Sequence, residues 1–272
     1  MSVLEEVYTL ADGNEIPKLG LGTWLVDDDK AAEVVEAAIN AGYRNIDTAQ
    51  AYGNERGVGE GIRASGIPRE ELFVSTKLAA EIKDYDEAVA AINESLRKLN
   101  IGYVDLLLIH CPQPWDDFRG GDYFEGNVEA WRALEEALAA GKARTIGVSN
   151  FLEKDLENIF KNSEQTPMVN QIQVHPGETP SELIDYCQDR DILIQAYSPI
   201  AHGKILGNPE MSVLAEKYGV SIPQLCLRYA LQLGTQPLPK TLNPEHMKEN
   251  AELDFEISDD DMDVLRALDA SD

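Results

Sequence analysis

Short apolar runs alternate with longer amphipathic stretches along the whole chain. The runs KLGLGT (18–23), NIDT (45–48), LFVSTK (72–77), DLLLIH (105–110), RTIGVS (144–149), VNQIQV (169–174), ILIQAY (192–197) and QPLPK (236–240) mostly lack strict alternation. That is the pattern of strands covered on both faces, as in a parallel sheet. Between them, DKAAEVVEAAINAG (29–42), YDEAVAAINESLRKLN (85–100), NVEAWRALEEALAAGKA (127–143) and SVLAEKYGVSIPQLCLRYALQLG (212–234) repeat apolar residues every three or four positions. This spacing predicts amphipathic helices. Gly42, Gly141 and Gly234 stand where three of these helices must end, as left-handed caps require. The stretch NIDTAQAYGNE (45–55) begins as a strand and ends as a helix start, with Asp47 and Tyr52 between. Eight strands alternating with helices predict a single-domain (β/α)8 TIM barrel spanning 1–272, with an open doubly wound sheet as the alternative.

Charge narrows the possible partners. Forty-nine acidic residues against 23 Lys plus Arg give a net charge of −26 among 272 residues. Such a surface repels nucleic acid and anionic membranes. The acids are spread through VDDDK, PREE, EKDLEN and ISDDDMD instead of forming one tail. That distribution reads as halophilic adaptation of the surface, with an acid-rich binding partner as the other reading. Mutual repulsion of such surfaces favours a monomer. The N-terminal MSVLEEVYTL carries two acids and no signal-type apolar core, and no apolar run reaches a membrane span. Three cysteines, Cys111, Cys187 and Cys226, have no framework spacing, which points to a reducing cytoplasm.

In a parallel barrel, chemistry gathers at the C-terminal ends of the strands. The polar residues there are Asp47, Lys77, His110, Ser149 with Asn150, Gln171 and His175, Tyr197 with Ser198, and Lys240 with Thr241. Singly, each has an ordinary reading as a helix cap, a surface lysine or a core histidine. Together, Asp47, Tyr52, Lys77 and His110 suit carbonyl reduction. A tyrosine donates a proton poorly near neutrality, with a pKa of about 10. A lysine ammonium beside it would lower that value, and an aspartate would hold the lysine in place. A histidine would orient the substrate oxygen. Such a site still needs a hydride donor.

GNERGVGEG lacks the G-x-G-x-x-G spacing of a dinucleotide-binding turn, so a cofactor would lie across the barrel rim. Asn150 and Gln171 suit a carboxamide, and Tyr197 a stacked nicotinamide ring. Lys240 and Thr241, placed before the last helix, suit a phosphate. A Schiff-base aldolase using Lys77 is disfavoured, because pairing with Asp47 would keep the lysine protonated. The four histidines lack metal-site spacing. A non-catalytic NADPH-binding sensor is the remaining rival.

The chain resembles the aldo-keto reductase family over nearly its whole length. The resemblance rests on LGLGTW (19–24), GYRNIDTAQAYGNERGVGEGI (42–62), VSTK (74–77), YVDLLLIHCP (103–112), GKARTIGVSNF (141–151), VNQIQVHP (169–176), AYSPIAHGKIL (196–206) and LPKTLNPEHMKENAELDFEIS (238–258). It implies a barrel closed at its bottom by an N-terminal hairpin, VYTLADGNEIP. It implies Tyr52 as proton donor, supported by Asp47, Lys77 and His110. Ser149, Asn150, Gln171 and Tyr197 match nicotinamide-binding positions. Ser198, Pro199, Ile200 and His202, with Lys240, Thr241, Leu242, Glu249 and Asn250, match positions around the pyrophosphate, ribose phosphate and adenine. Gly22 and Thr23 fall on the cofactor side, and Trp24, His110, Cys111 and Trp115 on the substrate side, with Phe118 beside them.

SPIAHGKIL is similar to prokaryotic members of the diketogluconate reductase type. NADPH is the implied cofactor, with NADH possible, and a small carbonyl compound the implied substrate. Three departures from the family pattern stand out. His246 replaces a frequent Arg, which weakens the implied grip on a 2′-phosphate. Cys111 replaces a frequent Trp, which implies a wider pocket. After DVLRALDASD the pocket-closing tail of many relatives is expected to be missing.

Overall fold

The structure is a computed structural model and describes residues 2–268. It opens with an antiparallel hairpin, β1 (Val7–Thr9) and β2 (Glu15–Pro17), in which Tyr8 faces Ile16. Eight parallel strands follow: β3 (Leu21–Gly22), β4 (Asn45–Asp47), β5 (Phe73–Leu78), β6 (Val104–Ile109), β7 (Ala143–Ser149), β8 (Val169–Gln173), β9 (Leu193–Tyr197) and β10 (Gln236–Leu238). They lie side by side in chain order from β3 to β10. The hairpin plugs the N-terminal end of the barrel. Its Leu10 and Ile16 pack with Phe73, Leu106, Leu108 and Val169 from the barrel interior.

The circle closes between β3 and β10 through two backbone hydrogen bonds, Gly20 N–H to Pro237 O at 3.2 Å and Gly22 N–H to Pro239 O at 2.9 Å. The return donor between these two bonds would be residue 239, to Gly20 O, with residue 237 one step before it. Both are prolines and have no N–H to give. The seam therefore bonds in one direction only, which is why KLGLGT forms just two residues of regular strand. The seam is tight there: a Cβ on Gly20 would meet Leu238 Cδ2 at 2.7 Å and Asn45 Cγ at 2.9 Å, so both side chains would have to shift.

Helices α1 (Asp28–Asn40), α2 (Glu55–Ala64), α3 (Tyr85–Leu99), α4 (Phe124–Ala139), α5 (Glu153–Asn162) and α6 (Ser181–Gln188) cover the outside. The expected helix over 212–234 is two helices, α7 (Pro209–Tyr218) and α8 (Ile222–Gln232). Gly219 ends the first in the left-handed region at φ 66°, and Ser221 starts the second with a capping box to Gln224. Gly42, Gly141 and Gly234 do take positive φ.

The glycines of GNERGVGEG have a packing role. Added Cβ atoms on Gly57, Gly59 and Gly61 would meet Asp28 O at 2.1 Å, Leu99 O at 1.9 Å and Ala32 O at 2.6 Å. They let α2 press against the backbones of α1 and α3.

Two further helices, α9 (Pro244–Glu249) and α10 (Asp259–Ala267), end the described chain. The helix after Lys240 and Thr241 is thus followed by another, and the last four residues of DVLRALDASD lie outside the described residues. Among the described residues no helix is long and apolar enough to cross a membrane. All three cysteines are free and buried.

Candidate active site

Asp47 ends β4, Lys77 lies near the end of β5 and His110 follows β6. Neighbouring strands thus present the three side chains at one end of the barrel. Tyr52 sits on the 3-10 turn Gln50–Tyr52, which Gly53 closes at φ 68°. That turn is pinned from both sides. Gln50 accepts from Ala79 N–H and donates to Ala91 O and Ser95 Oγ. The buried Asn54 donates to Thr23 O and Val26 O and accepts from Thr48 Oγ1 at 2.6 Å. The tyrosine is therefore held by a small framework of buried amides.

Lys77 is 0% exposed and its ammonium is fully partnered. It donates to Asp47 Oδ2 at 2.6 Å, to Thr48 O at 2.9 Å and to the Tyr52 hydroxyl at 3.3 Å. Burial alone would lower its pKa, but the Asp47 carboxylate and the Tyr52 oxygen outweigh burial and hold it above the ordinary lysine value. Lys77 is thus a fixed cation and a poor nucleophile. Tyr52 departs from the expectation of a lowered pKa. Burial raises it above 10, and the Lys77 ammonium only partly offsets that. His110 is held well below the usual histidine value, first by burial and then by Lys77, so its ring is neutral near pH 7. Its Nδ1 is buried with no partner among the described residues.

On the other side of the rim, Ser149 Oγ donates to Gln171 O at 2.8 Å. Asn150, in the left-handed region at φ 61°, is almost wholly committed. Its amide donates to His110 O at 3.0 Å and to Ser149 Oγ at 3.2 Å, and its oxygen accepts from the Tyr197 hydroxyl at 2.8 Å. Gln171 donates to Asp47 Oδ1 at 2.9 Å, which joins this half of the site to the tetrad. Tyr197 turns its half-buried ring to the cleft, and burial pushes its hydroxyl up to about 12.

These residues line one elongated cleft of about 1130 Å³. It runs from Asp47, Tyr52, His110 and Trp115, past Ser149, Asn150, Gln171 and Tyr197, to Ser198, Pro199, Ile200, His202, Lys240, Thr241, His246, Glu249 and Asn250, with Gly22 and Trp24 on its near wall. Trp24 touches His202 edge-on across the cleft, with ring centroids 5.3 Å apart. Trp115 stands on His110 in the same way at 5.1 Å.

Six expected residues do not line the cleft, the fully buried Lys77 among them. Thr23 is buried and donates to Asp47 O. The Cys111 thiol is buried 4.0 Å from Gln113 Oε1, so it does not widen the pocket. Leu242 is half exposed but outside the lining, and Phe118 packs on Trp115 from outside. His175 is tied to Gln173 and Pro176 O. Thr241 Oγ1 already accepts from Asn243 N–H, and Asn243 caps α9 through Glu245 N–H. No group of three or more His, Cys, Asp or Glu among the described residues is placed to hold a metal ion.

Leu25, Gln173, Leu206, Ser221 and Pro223 also line the cleft and were not expected there. Two of them carry a readable signal. Gln173 shares the inward face of β8 with Gln171, two residues away, and Ser221 opens a capping box.

A TIM barrel whose cleft joins a tyrosine, a lysine–aspartate pair and a neutral histidine at its C-terminal rim has the arrangement of a carbonyl-reducing barrel. The chain belongs to the aldo/keto reductase family, whose model matches residues 18–270. It is 43% identical over 267 residues to a glyoxal reductase of Bacillus subtilis, covering 97% of this chain and 93% of that one. An aldo/keto reductase structure from Brucella melitensis superposes with a TM-score of 0.88 at 41% identity, covering 97% of this chain and 99% of that chain. The Bombyx mori aldo-keto reductase solved in complex with NADP gives 0.87 at 37% identity, covering 97% and 93%.

Proposed function

We propose that this protein is an NAD(P)H-dependent reductase that converts aldehydes or ketones to alcohols, with Tyr52 as the general acid. The observation that carries the reading is Lys77, fully buried, bonded at once to Asp47 and to the Tyr52 hydroxyl. When bound, the nicotinamide cofactor supplies the hydride; the protein supplies the proton and the geometry.

The cleft fits a dinucleotide. It is long and shaped before binding, has the half-buried Tyr197 ring on one wall, and leaves Gln171 Oε1 without a partner among the described residues. Ser149, Asn150, Gln171 and Tyr197 would hold the nicotinamide end. Ser198 to His202, Lys240, Thr241, His246, Glu249 and Asn250 would hold the remainder, with NADPH preferred and NADH accepted.

The tetrad divides the work. Tyr52 hands a proton to the oxygen that becomes the alcohol. Lys77 stabilises the phenolate left behind, and Asp47 keeps Lys77 charged and in place. His110 carries no acceptor near Nδ1, so the favoured tautomer places its proton on Nε2, the nitrogen left to donate to the substrate oxygen. A neutral donor suits this position, because a second cation beside Lys77 would be repelled.

Trp24, Leu25, Trp115 and Leu206 make the substrate end apolar, which favours small uncharged carbonyl compounds over sugar acids. The glyoxal reductase relative agrees with this choice, while SPIAHGKIL keeps the diketogluconate reductase type as the competing subtype. The acid-rich chain suits a monomer in a salty cytoplasm. The test is oxidation of NADPH and NADH with glyoxal, a simple aromatic aldehyde and a keto sugar acid. Tight NADPH binding without oxidation against any of them would favour the sensor reading instead.

A further inference from the structure

Beneath the cleft, three glutamines stand in register on adjacent strands: Gln171 on β8, Gln195 on β9 and Gln236 on β10. Gln195 and Gln236 are 0% exposed, yet neither contributes to the cleft wall. Their amides form one chain that ends on Asp47. Gln171 Nε2 donates to Asp47 Oδ1 and to Gln195 Oε1, each at 2.9 Å. Gln195 Nε2 donates to Gln236 Oε1 at 2.9 Å, and Gln236 Nε2 to Pro237 O at 3.4 Å.

Carboxamide nitrogen and oxygen are interchangeable in shape, so orientation has to come from partners. Here a single group sets it. An ionised carboxylate only accepts, so Gln171 must point its nitrogen at Asp47. Its second N–H then needs an acceptor, which fixes Gln195, and Gln195 in turn fixes Gln236. Both N–H groups of Gln171 are spent inward. Its oxygen, which has no partner among the described residues, is what the cleft receives.

We infer that Gln195 and Gln236 are positioning residues, which hold Gln171 as an acceptor-only group toward the cleft and so select a ligand that presents an N–H there. The inference rests on the reductase reading for the identity of that ligand, a nicotinamide carboxamide. A dinucleotide whose carboxamide is replaced by acetyl has the carbonyl but no N–H. In the native protein its methyl group would meet the Gln171 oxygen, which is then left without a donor.

The test compares binding of NADP and its 3-acetylpyridine analogue by quenching of tryptophan fluorescence. Native protein should prefer NADP by about tenfold, the scale of one lost hydrogen bond with an unpaired partner. In Gln195→Leu, Asp47 still holds one N–H of Gln171, but the second loses its acceptor and is free to turn toward the cleft as a donor, so the preference should shrink to within about threefold. Gln195→Glu should restore it. Its carboxyl oxygen still accepts from Gln171, and either a turned Gln236 amide or the carboxylic O–H completes the chain.

A second readout needs no dinucleotide. Hydrogen exchange of the Gln171 side-chain amide, followed by NMR, should be slow in native protein and in Gln195→Glu, and faster in Gln195→Leu. If Gln195→Leu does not fold, Gln236→Leu takes its place, with a smaller loss in the same direction. A folded Leu variant with native preference and native exchange overturns the inference. Failure of the native protein to bind either dinucleotide overturns the reductase reading, and the exchange rates still decide the glutamine chain.

Discussion

The Lys77 ammonium lies 3.3 Å from the Tyr52 hydroxyl and 2.6 Å from Asp47 Oδ2, so one buried cation serves both an acid and its counter-charge. Removing the hydroxyl alone should separate chemistry from binding. Tyr52→Phe should fold and bind NADPH normally while turnover falls by about 10²–10⁴. Near-native kcat in this variant would take Tyr52 out of the reaction.

His110 makes stability depend on pH. The folded protein holds it well below 6.5, mainly through burial. An unfolded chain takes up that proton near pH 6.5. Below that value the unfolded state binds more protons, so this contribution is complete above pH 6.5 and is lost as pH falls. The slope is up to about 1.4 kcal/mol per pH unit. Urea melts between pH 7.5 and 5 should show a shallower decline in His110→Gln than in native protein.

On the proposed function, cofactor choice should turn on Lys240 and His246, both exposed at the far end of the cleft. Lys240 offers one cation to a 2′-phosphate, and His246 lacks the fixed charge and bidentate fork of an arginine. His246→Arg should tighten NADPH by about 1.5–3 kcal/mol and leave NADH nearly unchanged. Lys240→Ala should erase the preference. Titration of both cofactors decides it; equal tightening of the two would place residue 246 against adenine instead.

A net charge of −26 is relieved by screening. Thermal midpoints should therefore climb as KCl rises into the molar range. A flat or falling midpoint would end the halophilic reading.

The glycine run of α2 should tolerate no side chain. Gly59→Ala puts a Cβ 1.9 Å from Leu99 O, a backbone atom that cannot swing away. A loss of about 3 kcal/mol or more is expected in denaturant melts. Gly207→Ala, which meets nothing within 4 Å, should stay within about 0.5 kcal/mol of native.

Most of the barrel was legible because its strands are buried on both faces and differ sharply from the helices between them. The tetrad was legible because strand ends are a position that can be read without coordinates. What escaped has local causes. The break at Gly219 lay inside an unbroken apolar period, and only short local signals mark it: Gly219 itself, the Ser221 capping box and Pro223. The glycines of α2 had suggested ligand contact only to be discounted, yet packing was the right explanation and depends on helices distant in sequence. Cys111 follows His110 directly, but both lie past the end of β6, where the path of the loop and not a strand period decides which side chain enters the cleft. The pKa of Tyr52 was misjudged because a neighbouring charge can be guessed from sequence, whereas the depth of burial that outweighs it cannot.

The seam between β3 and β10 gives the barrel a preferred line of cleavage. Every other strand boundary is a ladder, while this one is held by two bonds running one way. Its glycines and prolines sit directly below Trp24 on one side and Lys240 on the other. Thermal opening should start there, and it would spread the two walls proposed to hold the phosphate end of the cofactor while the tetrad, on the second to fourth strands counted from the gap, keeps its lattice. A dinucleotide laid across this gap would then act as a clasp, supplying from outside the cross-strand ties that two prolines withhold.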